Sequence, residues 1–215
     1  MRISVLCSSR SHPVYPHLVR WCEDRRRACQ VELVESVAGL SGGDLLFLIS
    51  CGEIVPARVR GLYRASLVVH ASDLPRGRGW SPLVWQILEG RNDIPVTLLE
   101  AADPVDSGAI WHQVRLHFQG HELADEIHGA LFAAELALMD YAVEHLDTVE
   151  PRAQVGAASH YRRRTAEDSR LDPGLSLAEQ FNLLRVADPD RYPAFFDHLG
   201  HRYEIRITKR DRHEP

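Results

Sequence analysis

Lysine is almost missing from this chain: of its 25 lysines and arginines, Lys209 is the only lysine. Schiff-base or lysine general-base chemistry would have to run through one residue near the tail, which argues against it. Cysteine is scarce as well. Cys7, Cys22, Cys29 and Cys51 fall in the first quarter, and no two have C-x-x-C spacing. That speaks against a zinc knuckle or a disulfide framework and reads as reduced thiols of a cytoplasmic protein. No apolar run approaches the roughly 18 residues of a membrane span, and MRISVLCSSR carries too short an apolar stretch for a signal peptide. Positive charge is not in excess either: the formal net charge is −5, the wrong sign for a nucleic-acid partner. The histidines show no spacing of two ligands plus a carboxylate, and His121 and His128 read as decoration of a helix, so no metal is expected.

Apolar residues make up 45% of the 215 positions, enough for a real core. ISVLC (3–7), VELVESV (31–37), LLFLIS (45–50), SLVVHAS (66–72) and PVTLLEA (95–101) are short apolar runs of strand length. Between them YPHLVRWCEDRRR (15–27), VPARVRGLY (55–63) and SPLVWQILEG (81–90) read as helices, the last with Ser81 as N-cap and Pro82 in its first turn. This alternation predicts an α/β fold: a Rossmann-like, mostly parallel sheet with helices on both faces. Ligands of such sheets sit beyond the carboxyl ends of the strands. His70, Ser50 to Glu53 and Ala101 to Asp106 are therefore expected to converge on one crevice. The longest helix is expected over 121–146, with Leu123, Ile127, Leu131, Ala134, Leu138 and Tyr141 as its apolar stripe. Beyond Pro151 the chain turns polar, then offers a helix (176–186) and an alternating strand (201–209). Residues 1–150 are read as the main domain and 151–215 as a small α+β extension packed on it, offering a surface on which two subunits could pair to a homodimer.

Two stretches carry chemistry: VVHASDLPRGRGWSP (68–82) and VTLLEAADPVDSG (96–108). Together they resemble the paired signatures of the folate-dependent formyltransferases: Asn-x-His with a Ser-Leu-Leu-Pro-x-x-Arg-Gly loop, then Leu-Asp-x-Gly. Ser72, Leu74, Pro75, Arg78, Gly79 and Pro82 match the loop, with Asp73 in place of a leucine, and Val105, Asp106, Ser107 and Gly108 fit the second motif without a gap. The likeness is strongest over roughly 44–110. It implies the formyltransferase fold, 10-formyltetrahydrofolate as formyl donor, and His70 and Asp106 as catalytic residues. Physical chemistry points the same way, because an attacking amine must lose a proton while the formyl oxygen gains charge. The resemblance implies oxyanion contact and proton handling for His70, and for Asp106 the orienting of His70 and help in deprotonating the amine.

By position, Cys51, Gly52, Glu53, Ile54, Leu74, Asp103, Pro104 and Val105 would line the folate pocket, with Gly52 allowing close backbone approach. Ser72, Trp80 and Ser81 would face the acceptor. Tyr161 with Arg162 and Arg163 suggests a phosphate clamp, since guanidinium forks suit phosphate oxygens. YRRRTAEDS followed by RYPAFF resembles the tail of the amino-sugar N-formyltransferases, which implies a nucleotide-linked deoxy-amino-sugar as acceptor. One departure stands out: Val68 occupies the place of the family's asparagine, so an oxyanion donor is lost unless Ser72 or a backbone amide replaces it. Two other readings stay open: a formyltetrahydrofolate hydrolase, with water in place of the amine, and, on account of Val68, a non-catalytic folate-binding homologue.

Overall fold

The computed structural model describes residues 1–210. Strands β1 (Arg2–Leu6), β2 (Gln30–Val34), β3 (Gly43–Leu48) and β4 (Tyr63–His70) run parallel in the order β2-β1-β3-β4. Helix α1 (Tyr15–Arg25) links the first two, and the one-turn helix α2 (Ala57–Arg60) precedes β4. The central strands are apolar throughout because both their faces are covered. Ile3, Val5, Leu45, Phe47 and Leu67 join the larger core cluster, while Leu6, Leu46 and Leu48 join a smaller one on the opposite face. Burying each such side chain stabilises the fold by about 1.5–3 kcal/mol.

After β4 come the two-residue strand β5 (Arg78–Gly79), helix α3 (Pro82–Leu88), and the strands β6 (Asp93–Glu100) and β7 (Ile110–His117). The last two complete a six-stranded sheet but run antiparallel, β6 against β4 and β7 against β6. His70 faces Thr97, whereas Leu67 faces Glu100. β6 therefore ends level with the middle of β4, and residues 101–106 do not leave the sheet at the edge where His70 stands. The connection 101–109 has to double back to reach that edge. Strand β7 itself is absent from the sequence-based expectation, which held no element between Asp106 and the long helix.

That helix, α4 (Ala124–His145), buries Ile127, Ala134 and Leu138 as its spacing predicts, with Leu131 and Tyr141 at the margin. Phe132, Met139, Ala142 and, unexpectedly, Glu135 share the buried face. His128 does not decorate an exposed surface: it is half-buried and stacked on Phe132 with ring centroids 5.9 Å apart. The chain then passes back over the sheet edge, where β8 (His160–Tyr161) pairs in parallel with β5. Helix α5 (Phe181–Val186), shorter than the expected 176–186, and the hairpin β9 (Ala194–His198)–β10 (His201–Ile205) gather a small apolar cluster around Leu171, Leu184 and Ala194. Arg185 pins this unit to the turn before β6 by donating to Asn92 Oδ1 at 2.6 Å. Residues 211–215 of the expected extension lie outside the described residues. Among the described residues, no helix is long and apolar enough to cross a membrane.

Candidate functional site

His70 ends β4 because the chain turns sharply after it, with the Ser72 amide donating to the His70 carbonyl at 2.9 Å. The loop that follows wraps back over the ring. His70 Nε2 donates to the Gly77 carbonyl at 2.8 Å. A carbonyl only accepts, so this contact puts a proton on Nε2 and leaves Nδ1 as the nitrogen that can take one. Nδ1 faces Asp106 Oδ1 at 3.7 Å, and both side chains are buried. Asp106 reaches this position from the β6–β7 connection rather than from a strand end, with its backbone left-handed at φ 61°. Its other oxygen, Oδ2, accepts the Gly79 amide at 2.9 Å. One loop therefore holds both members of the pair, the histidine through Gly77 and the carboxylate through Gly79. The 3.7 Å separation is too long for a hydrogen bond, so the facing atoms remain available to an incoming group.

The residues expected to line the donor pocket sit on two loops that meet over the smaller apolar cluster. Cys51, Val55, Val59, Val68 and Ala101 all belong to it, alongside Leu48. Arg60 ties the loops together, donating to the Ala101 carbonyl and pairing with Asp103. Ile54 and Val105 project into solvent, 77% and 59% exposed, as apolar lips on the two loops. Pro104 is exposed beside them and Leu74 is buried under the His70 loop. Gly52 faces open space: a Cβ there would meet nothing within 4 Å, and the left-handed turn is taken by Ser50 at φ 49°. The Gly52 amide donates to Ser8 Oγ at 3.0 Å, and Glu53 accepts weakly from the Val37 amide at 3.4 Å.

The expected acceptor residues fall around strands β5 and β8, where the Trp80 amide donates to the Tyr161 carbonyl at 3.2 Å and Ser72 and Tyr161 line one cavity. Ser72 lies two residues past the end of β4. Its hydroxyl is buried without a partner and lines a cavity of about 200 Å³, together with Arg76, Gly77, Arg91, Ser159 and Tyr161; neither His70 nor Asp106 lines it. Ser81 takes the N-cap position of α3 but makes no side-chain cap, its backbone being left-handed at φ 51°. Trp80 is half exposed under the Arg163 guanidinium, 5.0 Å from the ring centroid. Arg162 pairs with Asp168, holding that carboxyl well below the usual range, and lies over Trp85 at 4.8 Å. Tyr161 donates to Glu89 at 2.9 Å. Tyr161 also stacks on Trp85, with ring centroids 6.3 Å apart, so Tyr161 and Arg162 share that ring while Arg163 lies over Trp80. A larger, open recess lined by Arg2, Arg26, Arg27 and Asp44 lies at the amino-terminal edge of the strands, away from His70.

Two residues at or near the site escaped sequence reasoning. Gln154 donates through Nε2 to the carbonyls of Asp106 (2.8 Å) and Gly108 (2.9 Å), while its Oε1 accepts from Arg78 Nη2 at 2.6 Å. Glu135 sits in the buried face of α4 next to Cys7, its Oε2 sealed and unpartnered; burial pushes its carboxyl up to about 8. A glutamate interrupting an apolar stripe is the signal that would have flagged it. For Gln154 no local signal exists.

The family model described as "Formyl transferase" matches residues 8–143. Among solved structures, methionyl-tRNA formyltransferase from Clostridium thermocellum superposes with a TM-score of 0.82 at 19% identity, covering 100% of this chain and 95% of that one. A sugar N-formyltransferase from a Shewanella species superposes with a TM-score of 0.72 at 15% identity, covering 98% of each chain. HypX from Aquifex aeolicus in complex with tetrahydrofolic acid gives 0.77 at 21% identity over 96% of this chain, which spans only 37% of HypX. At these identities the superpositions establish the shared fold.

Proposed function

This chain belongs to the formyl transferase family, and we propose that it moves a formyl group from 10-formyltetrahydrofolate to the primary amine of a nucleotide-linked deoxy-amino-sugar. The observation that carries the reading is the buried, facing pair His70 Nδ1 and Asp106 Oδ1, 3.7 Å apart and held by one loop. In the proposed mechanism Nε2 stays anchored on Gly77, so Nδ1 takes the proton from the amine as it bonds the formyl carbon and returns it to the donor nitrogen released when the formyl C–N bond breaks. Asp106 supplies the opposite charge as that proton arrives, while the Gly77 carbonyl keeps the ring from rotating away. Burial of both groups excludes water, which strengthens every charge interaction between them and the reacting atoms. The folate pocket is proposed over the smaller apolar cluster, between Cys51–Ile54 on one loop and Asp103–Val105 on the other, with Leu74 below. The apolar lips Ile54 and Val105 suit the faces of a pterin, and exposed backbone of both loops suits its polar edges.

The acceptor class is supported by the structural likeness to a sugar N-formyltransferase and by the tail motif. Trp80 and Ser81, at the mouth of α3, are proposed to contact the acceptor, and Tyr161 to Arg163 would do so only after exchanging their present partners. A second reading, folate binding without chemistry, is favoured by one observation: Val68 packs in an apolar cluster where the family has a donor. Losing one oxyanion donor costs a factor of about 100–1000 in rate. Single-turnover mixing with 10-formyltetrahydrofolate separates the readings. A formylated amine from an amino-sugar nucleotide supports transfer, formate in the absence of acceptor supports hydrolysis, and binding with neither product ends both catalytic readings.

A further inference from the structure

The geometry points to Gln154 as the residue that positions Asp106, and so to the segment 152–161 as a working part of the site; this inference rests on the formyl-transfer reading above. Asp106 stands near the middle of the connection 101–109, in a left-handed conformation that residues bearing a Cβ adopt at a cost unless neighbours hold them. The flanks of that connection are fixed independently. Arg60 grips Ala101 and Asp103. Gly108 lies so close to β6 that a Cβ would come within 1.9 Å of the Glu100 carbonyl oxygen, so only glycine fits. What remains to be set is the direction of the peptide planes from Asp106 to Gly108. Gln154 sets it, because one amide group bridges both carbonyls.

The other end of the same amide holds the loop above. Gln154 Oε1 takes Arg78 Nη2, and Arg78 Nε is buried with no partner of its own. The residue after Arg78 is Gly79, whose amide binds Asp106 Oδ2; the residue before it is Gly77, whose carbonyl binds His70. A single side chain therefore couples the backbone beneath the carboxylate to the loop that orients both reacting groups. Gln154 is itself held from both sides. Arg152 exchanges backbone hydrogen bonds with Ile110 at 2.7 and 2.8 Å, Ser159 Oγ accepts the Gly77 amide at 2.9 Å, and β8 pairs with β5. Strapping of this kind is what lets an amide act as a rigid ruler rather than a flexible contact.

Two substitutions separate positioning from bulk. Gln154→Met keeps the length and removes every hydrogen bond, whereas Gln154→Glu keeps the acceptor for Arg78 and loses the donor to the two carbonyls. Each should slow single-turnover formyl transfer by about 30- to 100-fold, the scale of a sub-ångström to 1 Å misplacement, while affinity for a non-reactive folate analogue stays within about twofold. Independently of activity, the Gly79 amide should exchange with solvent about tenfold faster or more in both variants, with the β1–β3 ladder unchanged. Wild-type transfer rates in Gln154→Met, a rate loss that merely follows folate affinity or melting temperature, or an unaltered Gly79 exchange would each overturn the assignment. Should the wild type formylate no amine while Gly79 still loosens in both variants, the positioning stands and the transfer reading falls.

Discussion

Asp106 and Glu135 are both buried carboxyl groups, 8% and 7% exposed, yet they keep different company. Asp106 accepts a backbone amide on one oxygen, faces an imidazole with the other, and rests on a turn clamped by Gln154. Glu135 makes no hydrogen bond that relieves its sealed Oε2, and burial alone pushes it up to about 8. It also helps to raise the neighbouring Cys7 thiol, whose main cause is likewise burial. Desolvation without donors produces a neutral acid; Asp106 instead has a donor on one oxygen and an imidazole facing the other. The contrast locates the proposed chemistry in the loop and strap around Asp106 rather than in burial as such.

The largest expected effect falls on the furnished carboxylate. Asp106→Asn and His70→Ala should each lower single-turnover transfer by about a thousandfold, within the range of general acid–base contributions, with affinity for a folate analogue nearly intact. Full activity in either variant breaks the comparison at its stronger member.

Glu135 should show itself in stability instead. Its folded-state value of about 8 lies above the ordinary 4.5, so the folded protein keeps a proton that the unfolded chain releases. Stability is then highest below about pH 4.5 as far as this group is concerned, and declines as pH rises towards 8, at up to about 1.4 kcal/mol per pH unit. Urea unfolding of Glu135→Gln across pH 5 to 8 should flatten that decline. An unchanged slope would mean that Glu135 does not carry it.

Val68→Asn asks whether a third polar group can join the pair. The rate should rise about tenfold, a fraction of what an oxyanion donor provides when optimally placed; an unchanged rate would assign that task to a group already present. The smallest effect is expected at Arg162. Because Asp168 and Trp85 already occupy it, Arg162→Ala should alter the acceptor KM by less than about threefold, in keeping with the modest worth of exposed pairs. A tenfold rise in KM would restore the phosphate clamp.

Sequence and structure agree most closely where a residue's environment is local. The strands from β1 to β4 are legible because burial on both faces leaves near-continuous apolar runs such as LLFLI. His70 and Asp106 are legible because each lies inside a contiguous motif. Strand β7 is harder: its polar Gln113, Arg115 and His117 alternate with apolar residues at the exposed edge of the sheet, a weak pattern in so short a window. The antiparallel direction of β6 is set by where the connection through α3 delivers the chain beside β4, which the strand's own apolar run does not show. Gln154 was illegible for another reason. Its partners are two backbone carbonyls, the nearer 46 positions away, and any residue type presents a carbonyl. The arginine run shows its charge in the sequence but not its partners: Asp168 and Trp85 at Arg162, and Trp80 at Arg163, are distant in the chain or read only from the fold.

The most direct test of the central claim is a structure of the protein with a non-reactive folate analogue and an amino-sugar nucleotide bound together. The account predicts the acceptor amine within hydrogen-bond reach of His70 Nδ1 and Asp106 Oδ1, with the pterin between the Cys51–Ile54 and Asp103–Val105 loops. An amine seated instead in the cavity beside Ser72 and Tyr161, out of reach of both side chains, would contradict it.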